Sequence, residues 1–158
     1  MAQKKKRKAA AGDVATNRQA RHRYELVETF ECGIELLGTE VKSLRGGNVQ
    51  IRDAFAVIED GEVWLQNLHI GPYQQAAENH DPERPRKLLL HRYEIERLIG
   101  RSQRKGQTLI PTRVYFKGSR AKVELALAKG KDRHDRRREI ADRDMRRDVE
   151  RELSDRNR

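Results

Sequence analysis

Residues that could carry out acid–base, nucleophilic or metal chemistry are few in this 158-residue sequence and do not cluster. Cys32 is the only cysteine, which excludes an internal disulfide and a multi-cysteine zinc site. No two of the five histidines have metal-ligand spacing together with a carboxylate or a cysteine. The histidines are His22, His69, His80, His91 and His134. The sequence therefore predicts neither a metal site nor a cofactor site.

One acid–base pair, His134-Asp135, stands among basic residues and could serve a nuclease as acid or base. The alternative is a cationic, RNA-facing start of a helix in which Asp135 pairs with an arginine, and we favour this interpretation. The sequence has no nucleophile elbow, Walker loop or dinucleotide-binding turn. We therefore expect a binding protein rather than an enzyme.

The net charge of +10 is distributed unevenly along the chain. Residues 1–23 carry +7, residues 24–128 are neutral, and residues 129–158 carry +3. A neutral body between basic ends indicates a polyanionic partner, because Lys and Arg release condensed counterions when they bind phosphates. Solubility, or weak affinity for an acidic surface, is the alternative. The run KKKRK at residues 4–8 is similar to a nuclear import signal but also suits a flexible arm along phosphates.

The hydropathy pattern indicates no membrane segment. The sequence has no run of about 18 uncharged apolar residues, and no apolar stretch typical of a secretory signal follows the first lysines. A lone cysteine suits a reducing compartment. We therefore expect a cytoplasmic protein with no membrane partner.

Short strands and tight turns dominate the central residues. Two apolar runs, the second ending at Ile70, flank Asp60-Gly61, which is the pattern of a β-hairpin. Gly33 is expected to break an earlier strand and to separate it from a second one. The strands are predicted at 24–31, 34–37, 54–58, 63–70, 108–116 and 121–128.

Three short helices are predicted between these strands. Asn17 would cap a helix over 17–22, and Thr39 would cap one over 40–45 that ends at Gly46-Gly47. An amphipathic helix follows residues 88–90 and ends at Gly100. Its apolar face is predicted to hold Tyr93, Ile95, Leu98 and Ile99. The proline-containing residues 71–86 before it are predicted to form a long loop.

Short, mainly antiparallel strands with two or three small helices predict a mainly β fold, an OB-type antiparallel β-barrel. Other small β-barrels and α+β sheets are the alternatives. The expected organisation is a disordered basic arm at 1–13, an RNA-binding barrel at 14–128 and a basic tail at 129–158.

The tail has an apolar stripe at Met145, Val149 and Leu153, four residues apart, on an otherwise charged sequence. Such a thin stripe buries too little surface to hold a helix alone. We expect the tail to be disordered when the protein is free and helical when it is bound along a polyanion. A solvated helix packed against the barrel is the alternative.

Seven blocks, in order, carry a resemblance to a known family. They are 17–24 (NRQARHRY), 28–34 (ETFECGI), 38–45 (GTEVKSLR), 60–62 (DGE), 69–73 (HIGPY), 86–90 (RKLLL) and 128–131 (AKGK), the last followed by 135–137 (DRR). Over residues 14–158 the chain resembles the small protein B family of bacterial trans-translation.

The resemblance implies an OB-type barrel that binds the tRNA-like domain of transfer-messenger RNA (tmRNA). Elongation factor Tu with GTP joins through the aminoacylated tmRNA, and the complex is delivered to stalled ribosomes. The tail would then fold into a helix in the empty mRNA channel near the decoding centre, mainly against 16S rRNA. We expect a monomer.

The resemblance also implies which residues bind RNA. The expected RNA-binding residues are Asn17, Arg18, Arg21, His22, Tyr24, Glu31, Glu40, Lys42, Ser43, Arg45, Arg86, Lys87, Leu89, Lys129, Gly130 and Lys131. The expected ribosome contacts of the tail are His134, Asp135, Arg136, Arg137, Arg143, Met145, Arg146 and Arg147.

Three of these residues leave alternatives open. Glu31 could accept a hydrogen bond from a base amino group or a 2′-hydroxyl, or could orient an arginine. Leu89 could pack in the core, and Glu40 could pair with Lys42 on the surface of their short helix.

The sequence departs from the family pattern at Asp132, where a second lysine is usual, and at Met145, near which an aromatic residue is common. The alternative function is a ribosomal protein or assembly factor whose basic ends thread through rRNA. An adaptor would bind a tRNA-shaped RNA tightly by itself, whereas a ribosomal component would join ribosomes constitutively.

Overall fold

The computed structural model describes residues 13–104, 106–131 and 133–156. The strands are β1 (Asp13–Thr16), β2 (Tyr24–Ile34), β3 (Val49–Gln50), β4 (Phe55–Glu59), β5 (Glu62–Gln66), β6 (His69–Ile70), β7 (Arg86–Leu89), β8 (Gln107–Lys117) and β9 (Arg120–Gly130). The helices are α1 (Ala20–Arg23), α2 (Gly38–Arg45), α3 (Arg92–Ser102) and α4 (Arg133–Arg156). The expected arm at 1–13 lies outside the described residues except for Asp13, which begins β1.

Six strands close into an antiparallel ring, which confirms the predicted mainly β barrel. Around the ring the order is β4, β5, β7, β2, β9 and β8, and β8 returns to β4 through the pair Ala56 and Leu109. Strand β1 adds to the far half of β8, and β3 pairs with β6 in a separate two-stranded sheet. The long strands β2, β8 and β9 supply most of the strand pairing, so they form the continuous part of the barrel against which the other elements pack.

The hairpin of β4 and β5 forms where the sequence predicts it. Asp60 and Gly61 both have positive φ, 50° and 73°, which is the conformation that a two-residue turn of type I′ requires. The second strand is shorter than predicted, because it ends at Gln66 and Asn67 also adopts a positive φ of 57°. His69 and Ile70 then belong to β6.

Gly33 does not break a strand, so the prediction of separate strands at 24–31 and 34–37 is wrong. β2 continues to Ile34, and Gly33 pairs with Lys122 on one side and Leu89 on the other. A Cβ at Gly33 would lie 3.1 Å from the Leu89 Cβ. The glycine is therefore a position of close approach between two strands rather than a turn.

The two predicted helix caps are also wrong. Asn17 does not cap α1, because its side-chain amide donates to the Pro111 carbonyl (3.3 Å) and α1 begins after Gln19. Thr39 lies inside α2, and its hydroxyl donates to the Nδ1 atom of buried His80 (2.8 Å). The His80 Nε2–H donates to the Ile70 carbonyl (2.9 Å), which assigns the ring proton to that nitrogen.

The barrel interior is aliphatic, and Cys32 belongs to it. Its side chain has no exposed surface, and burial raises the pKa of the Cys32 thiol to about 12. A neutral buried thiol behaves as a small apolar side chain. Cys32 is therefore part of the core.

A buried carboxylate, Glu40, joins three separate segments of the chain. It accepts hydrogen bonds from Arg84 (3.1 and 2.9 Å), from Arg86 Nε (3.0 Å) and from the Leu37 backbone N–H (2.9 Å). The Arg86 guanidinium also donates to the carbonyls of Leu68 (2.5 Å) and Pro82 (3.1 Å). These bonds tie α2 to β7, to the C-terminal end of the 71–85 loop and to Leu68 just before β6.

Burial by itself would raise the pKa of the Glu40 carboxyl. The bonds from Arg84 and Leu37 and the charge of Arg86 outweigh burial, so this pKa lies below its ordinary value. Glu40 therefore contributes stability above its unfolded pKa, and that contribution is lost as the pH falls through the lowered folded pKa.

We predict that Glu40→Ala lowers the free energy of unfolding by about 3–5 kcal/mol, because it leaves the fully buried Arg86 without its partner. Urea unfolding followed by fluorescence of the single tryptophan, Trp64, measures the change. Glu40→Gln keeps the shape but not the charge, so its deficit relative to the wild type should shrink as the pH falls below 4.5.

The matched control is Glu62→Ala, which removes the partner of Lys87 in an accessible ion pair at 2.9 Å. Its unfolding curve should stay close to that of the wild type. Equal losses for the Glu40 and Glu62 variants would contradict the structural role of the buried carboxylate.

Candidate nucleic-acid interface

The first and last blocks of the family resemblance meet at one end of the barrel. Tyr24 pairs with Gly130 across β2 and β9, and the Lys131 N–H donates to the Arg23 carbonyl (3.2 Å). We call this surface the α1–β9 patch. It consists of Arg21, His22, Arg23, Lys129 and Lys131, all of them solvent-accessible. Residues more than a hundred positions apart in the sequence thus form one cationic surface.

Three other expected RNA-binding residues lie near this patch. Arg18 is exposed, whereas Asn17 is half-buried and held by the Pro111 carbonyl. Tyr24 is also half-buried and packs against Ala20, Ile110 and the small alanines of β9. Much of its ring is therefore used in packing within the protein.

A groove lies at the other end of β2, roughly 30 Å away along the strand. It is lined by β2, β7, the start of α3 and the hairpin between β8 and β9, and its volume is about 760 Å³. Its residues include Glu31, Leu89, His91, Tyr93, Arg120 and Lys122. We call this surface the β2–β7 groove. It brings together Glu31 and Leu89, two of the expected RNA-binding residues.

Glu31 is already engaged within the protein. Its carboxylate accepts a hydrogen bond from the Tyr115 hydroxyl and another from Lys117 Nζ (3.2 Å). The Tyr115 bond is the larger cause, and the Lys117 bond the next, of a pKa below the ordinary value for Glu31. Within the protein, the ionised Glu31 therefore pairs with Lys117 rather than with an arginine.

Leu89 is a surface residue, so the alternative that it packs in the core is wrong. It is 47% exposed, whereas Leu88 before it is fully buried. Strand alternation produces this difference, because successive side chains point to opposite faces. Leu89 also sits beside Gly33, whose missing side chain lets the leucine lie against β2. Leu89 therefore gives the groove an exposed apolar side chain that is not part of the protein core.

Three expected RNA-binding residues are buried and cannot touch RNA in this structure. Glu40 and Arg86 are fully buried and pair with each other, and Ser43 is 4% exposed. Direct contact is therefore wrong for these three. Glu40 does not form the surface pair with Lys42 either. Glu40 and Arg86 instead hold α2 against β7 through their ion pair.

The remaining basic residues of this region are accessible and held by neighbours. Lys42 Nζ lies 5.3 Å from the centre of the Tyr73 ring, and the Arg45 guanidinium lies 4.9 Å from the Phe116 ring. Lys87 pairs with Glu62. Such contacts keep the cations ordered while their charge stays near solvent.

The expected tail residues lie on α4, a helix of 24 residues. His134, Asp135 and Arg136 lie in its first turns, while Arg137, Arg143, Met145, Arg146 and Arg147 are exposed. The apolar stripe of Ile140, Met145, Val149 and Leu153 is more than half exposed at every position. The stripe is therefore not packed against the barrel, contrary to the alternative. Asp132 lies outside the described residues.

Sequence reasoning missed several groove residues. Tyr93 is 68% exposed, so its assignment to the apolar face of α3 is wrong, and its ring stacks on His91. Arg120 and Lys122 line the groove from the β8–β9 hairpin, whose residues 117–122 hold three cations and no acid. That charge run was visible in the sequence, but the sequence could not show that β-pairing carries it to the same groove as Leu89.

Within 13–104, 106–131 and 133–156, no group of three or more His, Cys, Asp and Glu side chains is arranged to hold a metal ion. None of the helices in these ranges is both long and apolar enough to cross a membrane.

A closed β-barrel with a cationic patch, a groove lined by apolar, aromatic and charged side chains, and a basic helical tail defines an RNA-binding β-barrel protein. The SmpB protein family model matches residues 14–155, so the chain belongs to the SmpB family.

Relatives of similar length support this assignment. The chain is 55% identical over 144 residues to an SsrA-binding protein of Pelotomaculum thermopropionicum, covering 90% of this chain and 94% of that one. It is 54% identical over 160 residues to an SsrA-binding protein of Mycobacterium sp. (strain KMS), covering 97% and 95%. A solved structure described as "tmRNA-SmpB: a journey to the center of the bacterial ribosome" matches with a TM-score of 0.64 and 53% identity, covering 75% of this chain and 85% of that one.

We predict that substitution of two adjacent leucines affects different properties, RNA affinity for Leu89 and stability for Leu88. Leu89→Ala should leave the unfolding curve unchanged. It should weaken binding to the cognate RNA about fivefold, because burial of a half-exposed leucine side chain against a partner contributes about 1 kcal/mol to the free energy of binding. Leu88→Ala should lower the free energy of unfolding by about 2–5 kcal/mol through the cavity that it creates. Urea titration and filter binding measure the two quantities. A stability loss at Leu89 equal to that at Leu88 would contradict the assignment of Leu89 to the interface.

Proposed function

We propose that this protein is a non-enzymatic adaptor that binds the tRNA-like domain of tmRNA and delivers it to stalled ribosomes for trans-translation. Membership of the SmpB family over residues 14–155 is the observation that carries this proposal. The two surfaces at opposite ends of β2 support it, because an adaptor must hold one RNA while it contacts another.

The β2–β7 groove is the part suited to reading folded RNA. Structured RNA is recognised through shape, unstacked bases and 2′-hydroxyls rather than through a long charged track. The groove offers an apolar residue, aromatic rings and a few fixed cations, and the barrel that carries it is neutral in sequence. Lys42, Arg45 and Lys87 would add phosphate contacts at its border.

The α1–β9 patch and α4 are suited to ribosomal RNA. Arg21, His22, Lys129 and Lys131 would face the decoding centre, and α4 would occupy the empty mRNA channel, mainly against 16S rRNA. The patch leads directly into α4 through Lys131, so the two surfaces would be presented together. An α4 that enters the channel only when it is vacant would report that vacancy, because bound mRNA would occupy the same space.

The remaining parts of the proposal concern assembly and place of action. The protein would act as a monomer in the cytoplasm, and elongation factor Tu with GTP would join through the aminoacylated end of tmRNA. The protein would contribute binding and positioning but no catalytic group.

The direct test is a filter-binding titration against tmRNA with elongator tRNA and a generic hairpin as competitors. A salt concentration of about 150 mM weakens non-specific charge contacts. We expect nanomolar binding that neither competitor displaces. Equal, salt-sensitive binding to all three RNAs would overturn the adaptor function and favour a ribosomal component whose basic ends do the binding.

The same titration on the chain truncated after Lys131 separates the two surfaces. Binding to tmRNA should survive, whereas addition of the degradation tag in a reconstituted translation system should be lost. Loss of tmRNA binding with the tail would contradict the assignment of RNA reading to the barrel.

A further inference from the structure

Two aromatic rings stand exposed and stacked at the start of α3. The centroids of His91 and Tyr93 are 5.5 Å apart, and their planes differ by 9°. Tyr93 is 68% exposed and His91 is also an exposed residue. An exposed tyrosine at this position contributes nothing to the core, which α3 reaches through fully buried Leu98. The ring pair therefore presents an open π-face to solvent.

The ring pair is held in place by the first turn of α3. The Glu94 carboxylate accepts a hydrogen bond from the His91 N–H (3.2 Å), and the His91 carbonyl accepts from the N–H groups of Glu94 (3.0 Å) and Ile95 (3.1 Å). Further along α3, Arg97 (3.3 Å) and Arg101 both pair with Glu28 of β2. The capping bonds order the first turn of α3, and the Glu28 pairs hold its later turns on β2, so the backbone that carries both rings is already in place before RNA binds.

The surroundings of the rings fit a nucleotide. His91 and Tyr93 line the β2–β7 groove together with half-exposed Leu89. On the opposite side of the groove stand Arg120 and Lys122 of the β8–β9 hairpin. A base stacked on an aromatic ring leaves its phosphates at the edge of the stack, where cations can meet them.

We infer that the His91–Tyr93 pair is a stacking platform for one unpaired base of the RNA bound in the β2–β7 groove, with Arg120 and Lys122 contacting its flanking phosphates. The inference rests on the proposed function, because it takes the bound RNA as given. It assigns base stacking to two residues that lie outside the set expected from the sequence.

Three substitutions of Tyr93 test the stacking platform. Tyr93→Phe keeps the π-face, Tyr93→Leu keeps apolar bulk without it, and Tyr93→Ala removes both. Binding of each full-length variant to tmRNA is measured over a range of salt concentrations. We expect Tyr93→Phe to bind as the wild type, and Tyr93→Leu and Tyr93→Ala to bind about tenfold more weakly, since aromatic stacking on a base is worth this much or more.

The salt dependence distinguishes stacking from charge. A stacking contact releases no counterions, so the Tyr93 variants should keep the wild-type slope of log K against log salt concentration. Lys122→Ala should reduce that slope by about 0.7 to 0.9, the loss of one phosphate contact. Arg92→Ala, on the same helical turn and 94% exposed in its side chain, is the matched surface control and should change affinity less than Tyr93→Ala.

Two outcomes would overturn the platform. One is a Tyr93→Ala affinity for tmRNA equal to that of the wild type. The other is a Tyr93→Leu variant that binds tmRNA as tightly as Tyr93→Phe, which would show that apolar bulk rather than an aromatic face supports the bound RNA. A wild-type protein that fails to prefer tmRNA over elongator tRNA would instead overturn the proposed function. Because Tyr93 is exposed, unchanged unfolding curves should accompany every variant.

Discussion

The structure depends on one buried carboxylate. Glu40 satisfies two arginines and a backbone N–H inside the protein, and through them it joins α2, the 71–85 loop and β7. Burying Arg86 without this partner would carry a large desolvation cost, so the chain reaches this packing only when all of these segments are in place. The position of β7 in turn sets the position of Leu89 and of the first residues of α3. The groove is thus a consequence of an electrostatic constraint in the interior.

Different parts of the chain recognise the shape of an RNA and attract its charge. The barrel sequence is neutral, and its β2–β7 groove combines apolar, aromatic and cationic groups in fixed positions. The excess charge lies at the two ends of the chain, and residues 140–156 of α4 are all exposed. Long-range attraction to polyanions needs only charge, whereas discrimination needs defined contacts. This division matches a protein that holds one RNA tightly and visits another.

Local patterns in the sequence were sufficient for elements whose causes are local. The Asp60-Gly61 turn, strand β9 and helix α3 all follow from neighbouring residues. The sequence did not reveal that Glu40 is buried, because its partners lie 44 and 46 residues away. Gly33 appeared to be a strand break for the same reason, since its function is to admit Leu89 from another strand. The exposure of Tyr93 likewise depends on how α3 docks.

Hydrogen–deuterium exchange of the full-length protein, alone and saturated with tmRNA, tests most directly whether the barrel reads the RNA. The account predicts that binding slows exchange at the start of α3 and in the β8–β9 hairpin, the two sides of the β2–β7 groove, while exchange across α4 stays unchanged without ribosomes. Slower exchange confined to α4, with the groove unaffected, would contradict it and assign RNA binding to the charged tail.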